Sequence, residues 1–146
     1  MKFTTEILIR TPLSDFVKKL QNPENLKYWQ RDFISYDVIS GYPGDVGSKM
    51  KLVYKTGKRK LELIETVIHK QDSYEFHVMY DTKEMQNIQE NYFEETPELH
   101  TKWVAINEFL PMSFKMRMML ILMPRTFKKQ TKQYMQDFKD FAEKEL

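Results

Sequence analysis

The chain has no cysteine among its 146 residues. Disulfides and thiolate chemistry are therefore excluded, and a reducing compartment is allowed without being required. Glycine is nearly as scarce, with four residues, at 41, 44, 47 and 57. All four fall where turns are expected, so the segments between them can run uninterrupted. Histidine occurs three times, as His69, His77 and His100. Their spacing matches neither the i, i+4 helical pattern nor the close strand pattern of a metal site, so no metal and no cofactor is expected. No Gly-x-Ser-x-Gly is present, which removes a nucleophile elbow. Gly44-Asp45-Val46-Gly47-Ser48-Lys49 lacks the order of a phosphate-binding loop and leads into a strand, so it reads as a connection.

Long apolar runs are missing as well. The most apolar stretch, Met116 to Met123, contains Arg117 and stops at Pro124. A membrane span needs about 20 apolar residues. The opening Met1-Lys2-Phe3-Thr4-Thr5-Glu6 turns polar at once, where a signal peptide needs an apolar run of roughly 7–15 residues. A cytoplasmic location without membrane insertion is the expectation. Net charge is only +2, so nothing calls for a nucleic-acid partner. The charge is uneven, however. Lys49, Lys51, Lys55, Lys58, Arg59 and Lys60 form a basic stretch, while Asp81, Glu84, Glu90, Glu94, Glu95 and Glu98 form an acidic one. Both read as solvated outer faces of strands, with a basic docking hairpin at 49–60 as the sharper alternative.

Aromatic side chains are plentiful: ten Phe, eight Tyr and two Trp. They can fill a core or line a pocket. Lys2 to Arg10 alternates with period two, a half-buried strand. Thr11-Pro12 marks a helix start, with Thr11 as N-cap and Asp15 near the positive end of the helix dipole. Leu13, Phe16, Val17 and Leu20 form its apolar face. Asn22-Pro23-Glu24 opens a second short helix to about Trp29. Strands are predicted at 33–40, 48–56, 59–69, 73–81, 85–94 and 100–110. Beyond Pro111 the period changes. Met116, Leu120, Met123, Phe127, Thr131, Tyr134, Phe138 and Phe141 mark one face of a long helix, kinked at Pro124.

Strand, two short helices, six strands and one long helix make an α+β order over one domain, 1–146. A twisted antiparallel sheet would wrap around the helix and leave a cavity between them. This order, with these residues, resembles the START-like or SRPBCC superfamily, the helix-grip fold. The segments that carry the resemblance are Met1 to Ile7, Asn22 to Trp29, Ile39 to Gly44, Glu65-Thr66, Asn87 to Phe93, and Phe127 to Thr131 leading to Asp137-Phe138-Lys139. Together they look like an uncharacterised bacterial branch, polyketide cyclase/dehydrase and lipid transport-like. The resemblance implies a hydrophobic ligand cavity between sheet and helix, with the 41–47 loop at its mouth. It carries over no catalytic residue.

Strand parity names the inward positions. Wet Lys49, Lys51 and Lys55 put Ser48, Met50, Leu52 and Tyr54 inward. Leu61, Leu63, Glu65 and Val67 follow in the next strand, then Tyr74, Phe76, Val78 and Tyr80. Trp103, Ala105, Asn107 and Phe109 face in from the last. Strand 85–94 is ambiguous: with Glu90 wet, Asn87, Gln89, Asn91 and Phe93 face in, and a bulge would reverse this. Trp29, Tyr36, Met116, Leu120 and Met123 complete the expected cavity lining. Glu65 is the one weak catalytic candidate, since a buried carboxyl has a raised pKa. A solvated or Lys/Arg-paired strand-end glutamate is its plainer reading. The favoured function is binding, or transport, of a hydrophobic or amphipathic small molecule lying against Met116, Leu120 and Met123. The alternatives are a cyclase or dehydratase using Glu65 or a tyrosine such as Tyr54 or Tyr80, and a co-chaperone-like interaction module.

Overall fold

Why a helix must cross this sheet follows from the strand order. The structure, a computed structural model, describes residues 1–144. Among them are seven strands: β1 (Lys2–Ile9), β2 (Phe33–Ser40), β3 (Lys49–Thr56), β4 (Arg59–Gln71), β5 (Glu75–Asp81), β6 (Met85–Glu95) and β7 (Thr101–Pro111). They form one antiparallel sheet in the order β1-β7-β6-β5-β4-β3-β2. β1 and β2 are consecutive in sequence yet occupy opposite edges. The chain between them crosses one face as α1 (Leu13–Gln21), a 3-10 turn (Pro23–Asn25) and α2 (Leu26–Trp29). The remaining strands return as a meander to β1, and α3 (Phe114–Leu122) and α4 (Pro124–Lys144) complete the same face.

The expected long helix is two helices. Pro124 cannot donate to the Leu120 carbonyl, and the chain breaks there: Met123 leaves the helical region at φ −132, ψ 51. Pro124 then serves as the first residue of α4, where its missing N–H costs nothing. The expected cap of α1 is also displaced. Thr11 stays with the strands: its carbonyl accepts from the Thr101 hydroxyl at 2.8 Å. The helix begins at Leu13, and the Leu13 N–H donates to Glu95 Oε2 at 2.8 Å. A carboxylate from the end of β6 thus replaces the local threonine. The second start is as expected, with Asn22 accepting from the Glu24 N–H.

α4 lies against β1 and α2. Thr5 Oγ1 approaches Met135 Sδ at 3.1 Å, and Lys139 Nζ donates to the Leu8 carbonyl at 2.7 Å. Between helix and sheet the aromatic side chains interlock edge to face. Phe16 meets Phe93, Phe138 and Trp103 at centroid distances of 4.9, 5.3 and 5.8 Å, and Trp29 meets Tyr134 at 4.8 Å and Phe138 at 5.0 Å. Such pairs add to the burial of their area. Strand parity holds across the centre of the sheet. Met50, Leu52, Val78, Gln89, Asn91, Phe93, Trp103 and Asn107 are all buried, so β6 takes the Glu90-out orientation. At two hairpin ends the inward expectation does not give burial: Leu61 and Tyr74 are exposed.

Candidate functional site

The space between sheet and helix holds a cavity of about 40 Å³. Ligand pockets for drug-sized molecules run to about 300–1,000 Å³. This one has room for about three waters. The expected ligand-sized void is thus filled, and the aromatic cluster of Phe16, Trp29, Trp103, Tyr134 and Phe138 fills it. One end of the cavity reaches Gln21, Pro23 and Gly44, so the 41–47 loop borders it. Gly44 sits at φ +93, a conformation that favours glycine.

Its wall is apolar on most sides and polar on one. Glu65 of β4 lies opposite Tyr80 of β5 in the ladder, and both face Tyr134 of α4. Behind them Tyr54 donates to Gln30 Oε1 at 2.6 Å. Glu65 is half-buried and lines the cavity. Burial pushes the Glu65 carboxyl above its ordinary range, and the neighbouring Tyr80 hydroxyl pulls it back only in part. Burial also raises the phenols of Tyr54, Tyr80 and Tyr134, and the nearby Glu65 charge adds to the shift in each. Such a carboxyl can donate a hydrogen bond or act as a general acid at a pH where an ordinary glutamate cannot. The reading of Glu65 as a solvated or Lys/Arg-paired strand-end residue is therefore corrected. A second polar pair lines the cavity beside it: Trp103 Nε1 donates to Asn91 Oδ1 at 2.9 Å. Trp29 Nε1 is buried with no hydrogen-bond partner among the described residues.

Of the residues expected to line the cavity, Trp29, Met50, Glu65, Phe76, Val78, Tyr80, Gln89, Asn91 and Trp103 do so. The others lie elsewhere. Leu52 and Leu63 pack in the core below it, and Tyr54 stands one layer back through Gln30. Tyr36 bonds to Glu24 at the surface. Asn87 donates to Asn107 Oδ1 at 3.1 Å, forming a separate polar pair toward the other end of the sheet. Met116, Leu120 and Met123 are misplaced by the break at Pro124. They belong to α3 and its end, away from the cavity, and Met123 is exposed. The helical wall comes instead from Tyr134, one turn above Phe138. Tyr134 was visible in the helix stripe but not as a cavity residue. Gln30, at the end of α2, gave no signal at all.

An open surface groove of about 860 Å³ runs between α2 and the C-terminal part of α4, past Tyr28, Arg31, Asp137 and Phe141. Trp29 and Gln30 line both groove and cavity and so partition them. Arg31 bridges the groove to Asp137 at 2.8 Å.

On the opposite face of the sheet, the reading of the histidines as too widely spaced for a metal site is corrected. His69 pairs with His77 across the β4–β5 hairpin, and the side chains of His69, Glu75 and His77 converge. Linear spacing could not reveal a contact made by strand pairing. Elsewhere the basic stretch is partly compensated, since Lys51 and Lys60 both approach Glu62. Among the described residues no helix is long and apolar enough to cross a membrane.

No protein-family profile and no curated protein matches the sequence. Solved structures do match the fold, at low identity. The Zhui aromatase/cyclase from Streptomyces sp. R1128 superposes with a TM-score of 0.80 at 8% identity, over 98% of this chain and 93% of that one. An uncharacterised protein from Rhizobium leguminosarum gives 0.78 at 14%, over 99% and 95%. Ara h 8.0201 gives 0.75 at 10%, over 97% of both chains. With seven antiparallel strands curved around a C-terminal helix, the chain shares the helix-grip fold of these structures.

Proposed function

We propose that the chain binds a small amphipathic molecule between sheet and helix, with its polar end at Glu65, Tyr80 and Tyr134. The observation that carries this reading is a carboxyl buried among tyrosines on the wall of a cavity. A fold under no functional demand would fill that position with an apolar residue, since a buried ionisable group costs stability. Access is at the 41–47 loop, beside Gly44, Gln21 and Pro23. Trp29 and Gln30 stand between the cavity of about 40 Å³ and the groove behind it, so admitting a ligand requires this partition to move. Both tryptophans of the chain line the cavity, so intrinsic fluorescence reports on occupancy. The test is fluorescence titration and thermal shift against a panel of fatty acids and polycyclic phenols, with native mass spectrometry of protein purified from its source. Saturable quenching with a matching rise in Tm is expected, weakened in Glu65→Gln and Tyr80→Phe. No retained molecule and no response across the panel would count against binding.

A second reading, acid catalysis on a polyketide-like substrate, is favoured by the raised Glu65 carboxyl lying beside the Tyr80 hydroxyl. That a structure named as an aromatase/cyclase shares the fold is compatible with such a substrate. Under this reading Glu65→Gln abolishes turnover while leaving binding intact, whereas simple binding predicts no turnover in either protein.

A further inference from the structure

We propose that His69, Glu75 and His77 form a zinc site on the outer face of the β4–β5 hairpin. The cluster is built by a bulge. Val67 pairs with Val78, but the next pair is His69 with His77, so Ile68 is the extra residue. Without it, Ile68 would stand opposite His77. With it, an imidazole from each strand faces the same way. Glu75 lies two residues before His77 and therefore on the same face of β5. Phe76 and Val78 point the other way, into the cavity wall, so the cluster and the cavity are separate sites.

The distances suit a cation better than direct contacts. Glu75 Oε1 lies 3.8 Å from His69 Nε2 and 3.7 Å from His77 Nε2. Both exceed hydrogen-bond range, so the carboxylate ties neither ring directly. One ligand atom from each residue lies within 4.8 Å of the others, and the two rings are 4.7 Å apart. Bonds of about 2.0–2.2 Å at a tetrahedral angle place ligand atoms about 3.3 Å apart. Glu75 has to close by about half an ångström on each ring, and the two imidazole nitrogens, within 4.8 Å of each other, by up to about 1.5 Å, which rotation of the exposed His69 side chain can supply. His77 supplies an independent pointer. Its Nε2 is buried with no hydrogen-bond partner among the described residues, on a side chain 12% exposed. Buried polar nitrogens are normally partnered, and a bound ion would supply the partner.

The surroundings agree in charge and shape. Glu90 is the ladder partner of His77 on β6, and it accepts from the Tyr92 hydroxyl at 2.9 Å. The Tyr92 ring packs against His77 at 5.0 Å and fixes one side of the imidazole. Two imidazoles and one carboxylate are the borderline donor set that zinc takes with a fourth position left to water. His69, at 47% side-chain exposure, keeps that position open to solvent. Bound zinc would clasp the far end of the hairpin across the bulge.

The test is isothermal titration of the full chain, stripped of metal with a chelator, with zinc chloride, and with magnesium as a control. One zinc per chain and no magnesium binding is expected. His69→Ala and Glu75→Gln should each weaken zinc binding by about tenfold or more, whereas His100→Ala should not. His69 is exposed, so its variant tests the site without threatening the fold, and circular dichroism checks that it is folded. Cobalt substitution adds a visible spectrum that His69→Ala should lose. Absence of zinc binding in the parent protein would overturn the proposal. So would zinc affinity unchanged in both His69→Ala and Glu75→Gln.

Discussion

Glu65 on β4 and Tyr80 on β5 are directly paired across the ladder, both inside the sheet–helix space and both pushed toward their protonated forms by burial. For Glu65 the sign of the effect on stability is fixed by linkage. Its folded pKa is raised, so the native state holds the proton more tightly than the unfolded chain. Stability then falls as pH rises from the ordinary carboxylate range through the raised native value. Glu65→Gln removes that dependence. The variant should be more stable than the parent at pH 8 and lose the advantage near pH 4, as urea titrations at the two pH values would show. An advantage that does not change with pH would mean that the carboxyl ionises freely.

The Asn91–Trp103 bond predicts a coupled loss. Both side chains are buried, and the indole N–H has the Asn91 oxygen as its acceptor. Asn91→Leu strands that N–H without a partner, at a cost of about 1–3 kcal/mol. Adding Trp103→Phe removes the stranded donor. The double variant should therefore lose less than the sum of the two singles, a coupling that a double-mutant cycle of urea midpoints measures. Strict additivity would mean that the bond contributes nothing of its own.

The strand positions and inward faces were legible because both depend on local alternation. β6 and β7 each bury one parity of side chains, and β3 does so apart from Val53; each parity could be read from lysines and glutamates that must stay wet. What was not legible came from contacts between distant segments. Thr11 carries a local N-cap signature, yet Glu95, 82 residues from Leu13, takes its place. His69 and His77 look unrelated along the chain until a bulge at Ile68 sets them side by side. The size of the cavity was also hidden. The same aromatic composition permits a lined void or a filled one, and the choice rests on ring orientations around Phe16 and Trp29 that no periodicity specifies. Met116, Leu120 and Met123 were misassigned for a simpler reason: Pro124 breaks the helix, so the stripe before it packs beside β7 and does not line the cavity.

The Glu95 cap has a measurable consequence. Removing a side-chain acceptor at a helix N-terminus costs about 0.5–2 kcal/mol. Glu95→Ala should cost this much although it lies on a strand, and Thr11→Val should cost less through the cap, because Thr11 does not perform that role. Hydrogen exchange would localise the effect: amides of the first turn of α1 should exchange faster in Glu95→Ala while those of β7 do not. Uniform loss of protection would point to a general destabilisation instead.

Phe138 offers the sharpest test of how the helix is held to the sheet. It is fully buried and touches Phe16, Trp29, Trp103 and Phe141, joining α1, α2, α4 and the sheet through one ring. Phe138→Ala should destabilise by about 3–5 kcal/mol, combining lost transfer energy with the cavity left behind. Phe138→Leu keeps most of the volume and should lose far less. The space opened by the alanine adjoins Trp29 and Tyr134, both of which line the existing cavity. If the variant folds, it should therefore take up small apolar molecules such as benzene and recover part of its lost Tm. An alanine variant no less stable than the leucine one would show that Phe138 is not what fastens α4 to the strands.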